Sequence, residues 1–188
     1  MSFNFPDQDT ESAPKEAVAA LTDAERRFGM LPNLMRKMAT APALLKGYLA
    51  LGELFEQTSF SPAEQQVVLL SVSRENRCDY CMGAHSVLAD MAGVPKPVTD
   101  ALRAGQPLPD PRLEALRRFT TAVVEARGWV DAAEVAAFQE AGYDAQQVLE
   151  VVLGVGMKTL SNDTNHIAGT ELDAPFQHRA WQASEADA

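Results

Sequence analysis

Apolar residues recur along this chain at spacings of three and four rather than two. PALLKGYLALGELFEQTSF sets Leu44, Leu45, Tyr48, Leu51, Leu54 and Phe55 at helical spacing. SPAEQQVVLLSVSRENR carries Val67, Val68, Leu69, Leu70 and Val72, apolar on most sides, which predicts a central helix. Ser61 stands at its N-cap and Pro62 at its first helical position. DAQQVLEVVLGVGMKTLSNDTNHIAG, from Asp144, is a second strongly apolar helix. Start and stop residues bound the others: Pro14 to Gly29, a short helix with Asn33 as cap and Pro42 as stop, and DYCMGAHSVLADMAG closed by Gly93. VTDALRAG should start near Thr99 or Asp100, PRLEALRRFTTAVVEARG follows, and DAAEVAAFQEAG runs from Asp131 to Gly142. No alternating strand and no Asn-Gly hairpin turn interrupts them. The pattern predicts an all-α fold of about eight or more helices.

The helical signals fill residues 14–175, read as one domain. Residues 1–13 are polar and acidic and read as a flexible arm, and residues 176–188 as a tail that is polar apart from Phe176 and Trp181. One internal echo stands out. Gln65-Gln66-Val67 precedes His85 at the same distance as Gln146-Gln147-Val148 precedes His166. In that register Thr159 falls opposite Cys78 and Asn162 opposite Cys81, which hints at a duplicated helical hairpin with chemistry in one copy.

With 46% apolar and 22% charged residues over 188 positions, the chain can bury a core without disulfide staples. A net charge of -10 argues against nucleic acid and anionic membrane surfaces as partners. MSFNFPDQDTESAPKE is not a secretory signal, and no apolar run approaches a membrane span. The expectation is a cytoplasmic protein, in which thiols stay reduced by default.

That setting gives weight to CDYCMGAH, which holds both cysteines of the chain, Cys78 and Cys81, and one of its three histidines, His85. A c-type haem signal needs His directly after the second Cys, and Met82 stands there instead. Zinc would find three ligands and need a fourth from His166, His178 or a carboxylate. A dithiol needs less. CxxC can close a disulfide within one helical turn, a helix start favours thiolate, and His85 lies one turn beyond Cys81 on the same face, able to relay a proton. The plain alternative is two buried cysteines and a core histidine sharing a helix. Arg74 and Arg77 beside the motif read as solvated charges at a helix end.

SPAEQQVVLLSVSRENRCDYCMGAHSVLA resembles the core motif of AhpD-like proteins, within the carboxymuconolactone decarboxylase-like superfamily. GMLPNLMRKMATAPALLKGY is similar to the lead-in of peroxidase-related members. The resemblance implies an AhpD-like helical fold, homo-oligomers such as trimers or hexamers, and sites near subunit boundaries. It also implies reduction of a hydroperoxide, with Cys81 peroxidatic, Cys78 resolving and His85 in the proton relay. No metal or bound cofactor is implied, and turnover would draw on an external dithiol reductant, a protein or a small thiol. The family's relay glutamate falls twelve residues before the first cysteine, where this chain has Gln66. Glu64 lies about 200° around the helix from Gln66, and Glu75, three before Cys78, is another candidate carboxylate. Two alternatives stay open: a carboxymuconolactone decarboxylase-like lyase indifferent to both cysteines, and a redox-sensing oligomer without turnover.

Overall fold

The computed structural model describes residues 4–183, in which nine α-helices and one 3-10 helix follow one another with no strand. They are α1 (Lys15–Phe28), α2 (Asn33–Met38), α3 (Pro42–Glu56), α4 (Pro62–Glu75), α5 (Asp79–Met91), α6 (Lys96–Ala104), α7 (Pro111–Glu125), α8 (Ala132–Glu140) and α9 (Ala145–Ala168), then the 3-10 turn Ala174–Arg179. No helix among the described residues is long and apolar enough to cross a membrane.

Helix α4 is the axis of the fold. Positions 67–73 are buried without a break, and α5, α7 and α9 all pack on it. This is what a helix apolar on most sides requires. Its start is locked by a capping box, in which Ser61 and Glu64 exchange side-chain and backbone hydrogen bonds. Asp144 and Gln147 do the same for α9. Helices α4 and α9 approach closely at Gly154, where a Cβ would come within 2.8 Å of Val68 Cγ1.

The core has two parts. The larger joins α4, α7 and α9 with the stacked rings of Phe119, Phe138 and Tyr143. The smaller joins α1, α2 and the start of α3 to the first turn of α5, and both cysteines lie in it.

The link from α4 to α5 reverses the chain and sets the cysteines. Arg77 adopts a left-handed φ of 53°, its N–H bonds Arg74 O, and Cys78 N–H reaches back to Ser73 O at 2.9 Å. This is a Schellman motif with arginine where glycine is usual. The left-handed residue costs about 1–2 kcal/mol, and the turn delivers Cys78 to the N-cap of α5.

Several boundaries differ from the sequence expectations. Helix α6 begins at Lys96, ahead of Thr99, because Pro95 and Pro97 set its first turn. Asn33 is the first residue of α2 rather than its cap; its N–H is taken by Asp173 Oδ1 at 3.0 Å. The echo does not correspond to two hairpins, since residues 145–168 form one uninterrupted helix with His166 exposed in its last turn.

The described parts of the arm and of the tail lie against the helices. Lys37 Nζ donates to Phe5 O and pairs with Asp7, and Gln8 N–H reaches Arg36 O. At the other end Arg103 donates to Arg179 O and Ala180 O, while Trp181 Nε1 donates to Arg103 O at 2.9 Å. The last residues of the tail, 184–188, lie outside the described residues, as do the first three of the arm.

Candidate active site

Cys78 is the N-cap of α5 and Cys81 its third residue, so both sulfurs lie at the positive end of the helix. Both are free and buried. Helix α9 faces them with a polar stripe on an otherwise apolar rod: Lys158, Ser161 and Asn165, all buried. Asn165 Nδ2 donates to Cys81 Sγ at 3.2 Å and approaches Cys78 Sγ at 3.6 Å. Cys81 Sγ lies 3.8 Å from Ser161 Oγ. Asn162, one step round the helix, instead accepts from Asn76 Nδ2 at 3.0 Å and ties α9 to the α4–α5 turn.

The two thiols are driven apart in acidity. Burial opposes charge on Cys81, but the Cys78 thiol, the Lys158 ammonium and Ser161 outweigh it and hold Cys81 well below the ordinary thiol range. Cys78 moves the other way: its hydrogen bond to Cys81, burial and the Cys81 charge all push it up. The pair is thus arranged as thiolate Cys81 and thiol Cys78, sharing one proton. Lys158 is fully buried, and its Nζ has no hydrogen-bond partner among the described residues. Its hold on Cys81 is chiefly Coulombic. Burial favours the neutral amine, yet the charge on the facing Cys81 outweighs it and raises the titration of Lys158.

Cys81 opens onto an apolar cavity of about 250 Å³ walled by Phe28, Met35, Tyr48, Leu88, Met91 and Phe176. Cys78 does not line it. His85 shares this wall, one turn beyond Cys81. Its Nδ1 meets Gln66 Oε1 at 3.1 Å. An amide oxygen only accepts, so Nδ1 carries the proton and Nε2 is left as a base. Burial, then the Lys158 charge, hold His85 well below its usual titration. Gln66 sits in an adjoining 110 Å³ cavity that shares Phe28, Met35 and Tyr48 with the first.

The structure thus brings Cys78, Cys81, His85 and Gln66 together. It places the two candidate carboxylates elsewhere. Glu64 is occupied at the start of α4, between Ser61 and Arg112, whose Nη1 stands 2.6 Å away. Glu75 lines a separate polar cavity with Arg74, Arg117 and Glu125, and burial together with Glu125 raises its titration. His178 turns to Pro175 O. Among the described residues, no group of three or more His, Cys, Asp and Glu side chains could hold a metal ion. Lys158, Ser161 and Asn165 escaped the sequence reading. The available signal was polar residues at i, i+3 and i+7 in an apolar helix.

A second polar cluster braces the site from below. Tyr80 OH donates to the buried Asp173 Oδ2 at 2.6 Å and accepts from Leu34 N–H at 3.4 Å. Asp173 also takes Asn33 N–H, so α2, α5 and the segment after α9 meet at one carboxylate. Burial and then Asp173 push the Tyr80 phenol up, so it stays a donor.

The carboxymuconolactone decarboxylase family model matches residues 42–122, which run from α3 through α7 and include both cysteines and His85. An alkylhydroperoxidase AhpD core structure, an uncharacterized peroxidase-related protein from Ralstonia eutropha JMP134, superposes with a TM-score of 0.81 at 21% identity, covering 92% of this chain and 93% of that one. An uncharacterized peroxidase-related protein from Silicibacter sp. TM1040 gives 0.78 at 18% identity, with 95% and 94% covered. The debrominase Bmp8 in complex with 2,3,4-tribromopyrrole gives 0.77 at 15% identity, with 95% and 96% covered. No curated protein matches the chain significantly in sequence.

Proposed function

With residues 42–122 matching the carboxymuconolactone decarboxylase family model and the whole chain built on the AhpD-like fold, we propose that this protein is a thiol-dependent hydroperoxide reductase or thiol–disulfide oxidoreductase. The observation that carries the reading is Cys81 at the wall of an apolar cavity, its sulfur met by Asn165 Nδ2 and its titration held below the ordinary thiol range while that of Cys78 is pushed up. Thiolate Cys81 attacks a hydroperoxide and becomes a sulfenic acid; the Cys78 thiol condenses with it, releasing water and closing a disulfide. An external dithiol, protein or small molecule, reopens the pair by exchange. His85 Nε2 is the base that moves protons at the cavity wall, and Gln66 keeps its tautomer. The protein as isolated, given an organic hydroperoxide and a dithiol, should consume peroxide, and Cys81→Ser should abolish the consumption. Undiminished turnover in Cys81→Ser would sink the reading.

The cavity favours one second reading. Its aromatic and methionine walls suit a flat apolar ring, and a structural neighbour is a debrominase. In that reaction the dithiol supplies two electrons, carbon–halogen becomes carbon–hydrogen, halide leaves, and the pair closes to a disulfide. Cysteine-dependent halide release from a halogenated pyrrole or phenol, with no peroxide consumed, would select it.

A further inference from the structure

Lys158 is the one buried cation of the site, and nothing structural accounts for it. It is fully buried on the uninterrupted helix α9, and its Nζ makes no hydrogen bond among the described residues. An ammonium in that position is costly unless an opposite charge faces it. The titratable groups that face it are Cys78, Cys81 and His85 from α5 and Tyr48 from α3. Of the charged residues on the other packed helices, Lys37 of α2 pairs with Asp7, Glu64 of α4 with Arg112, and Arg117 and Arg118 of α7 with Glu114 and Glu134, while Glu75 of α4 lines a separate polar cavity with Arg74 and Arg117. Of the facing groups, Tyr48 is raised by burial and stays neutral, and His85 is neutral by burial. Among the described groups that face Lys158, that leaves the cysteine pair to carry the matching negative charge.

We propose that Lys158 is the charge partner of the Cys78–Cys81 pair, tuning its redox potential upward by stabilising the reduced state and supplying the proton when Cys81 is oxidised. The inference rests on the reading above that Cys81 is the reacting thiol. In the reduced state the site holds thiolate and ammonium, with no net charge. When Cys81 attacks the hydroperoxide, the O–O bond breaks, an S–O bond forms, and the departing alkoxide takes a proton from Lys158. The site then holds sulfenic acid and a neutral amine, again without net charge. Cys78 and the sulfenic acid form the disulfide and release water. The dithiol reductant returns two electrons and two protons; one proton restores the Cys78 thiol and the other recharges Lys158, leaving Cys81 as thiolate. Lys158 thus does for this chain what a relay carboxylate cannot do at position 66, where an amide stands.

Two measurements test this on the full chain. The ultraviolet absorbance of the thiolate, followed against pH, should move up by at least about one pH unit in Lys158→Met, a tenfold loss of thiolate, and should stay near wild type in Lys158→Arg. Equilibration with a dithiol buffer should show the Lys158→Met potential lower by about 30 mV for each tenfold. A Lys158→Met protein that titrates and equilibrates like wild type overturns the proposal. If Lys158→Met does not fold, Cys81→Ser serves in its place. There the lysine loses its partner, and its carbon-13 resonance should titrate at lower pH than in the wild type; an unchanged titration overturns the proposal equally. Failure of the peroxidase reading is distinguishable. Peroxide would then leave every variant unoxidised while the thiolate titration still shifted.

Discussion

Tyr80→Phe removes one hydroxyl from a junction of three chain segments. The lost groups can be counted. Asp173 Oδ2 gives up an O–H donor at 2.6 Å, and Leu34 N–H gives up its acceptor at 3.4 Å. Asp173 keeps only the Asn33 N–H on its other oxygen, and it is 4% exposed, so water has little access to replace the donor. A hydrogen bond to a charged group contributes about 1.5–3 kcal/mol, and leaving a buried partner unsatisfied costs about 1–3 kcal/mol. The second bond is long and adds little. The expected loss is about 2–4 kcal/mol, a large part of the roughly 5–15 kcal/mol that holds a domain folded. Equilibrium urea unfolding should show the midpoint lowered by about 1 M or more with an unchanged slope. The cycle with Asp173→Asn should show coupling of about 0.5–3 kcal/mol. A midpoint within about 0.2 M of wild type, or strictly additive single variants, would refute the reasoning, because the carboxylate would then be satisfied by something other than Tyr80.

Three other changes follow from contacts already described. Gln66→Glu puts a carboxylate against His85 Nδ1, replacing the 3.1 Å amide contact, and should raise the ring's titration by about one to three pH units, read by proton NMR. In the native chain the depressed His85 stays neutral while its unfolded counterpart charges below about pH 6.5, so its contribution is full above that pH and stability falls as pH drops below it, by up to about 1.4 kcal/mol per unit; Gln66→Glu should flatten that acid limb in denaturant titrations. Gly154→Ala sets a Cβ 2.7 Å from Phe55 Cε2 and 2.8 Å from Val68 Cγ1, and the overpacking of about 1–3 kcal/mol should exceed the helix gain of about 1 kcal/mol, lowering the thermal midpoint. Arg103→Met removes the donors to Arg179 O and Ala180 O and should shift Trp181 emission to the red with little change in the thiol titration.

The central helices were legible because their patterns are local. The SPAE start, the apolar run of α4 and the helical register of Cys78, Cys81 and His85 need only neighbours in sequence. Glu64 shows the limit of a motif read for chemistry alone: Ser61 and Glu64 already match the capping-box spacing, and the box is where the carboxylate goes. Residues from α9 and Asp173 act on the cysteines and on Tyr80 across 80 or more positions, a separation over which periodicity carries no information. The turn at Arg77 was hidden for another reason, since arginine is not a residue that announces a left-handed backbone. Phe176 and Trp181, the apolar exceptions in a polar tail, were the available sign that the tail docks rather than trails.

Of the two sulfurs, Cys81 faces the cavity and Cys78 is sealed behind it at 0% exposure. A disulfide between them would present a single sulfur to anything arriving from that cavity. Oxidant and reductant would then queue at one doorway, each blocking the other. A snug apolar visitor that stays too long would slow the return to the dithiol form as well as the first attack. Turnover would be governed by how quickly the chamber empties, and the exposed wall residues Phe28 and Met91 would limit the size of the reducing agent that can enter.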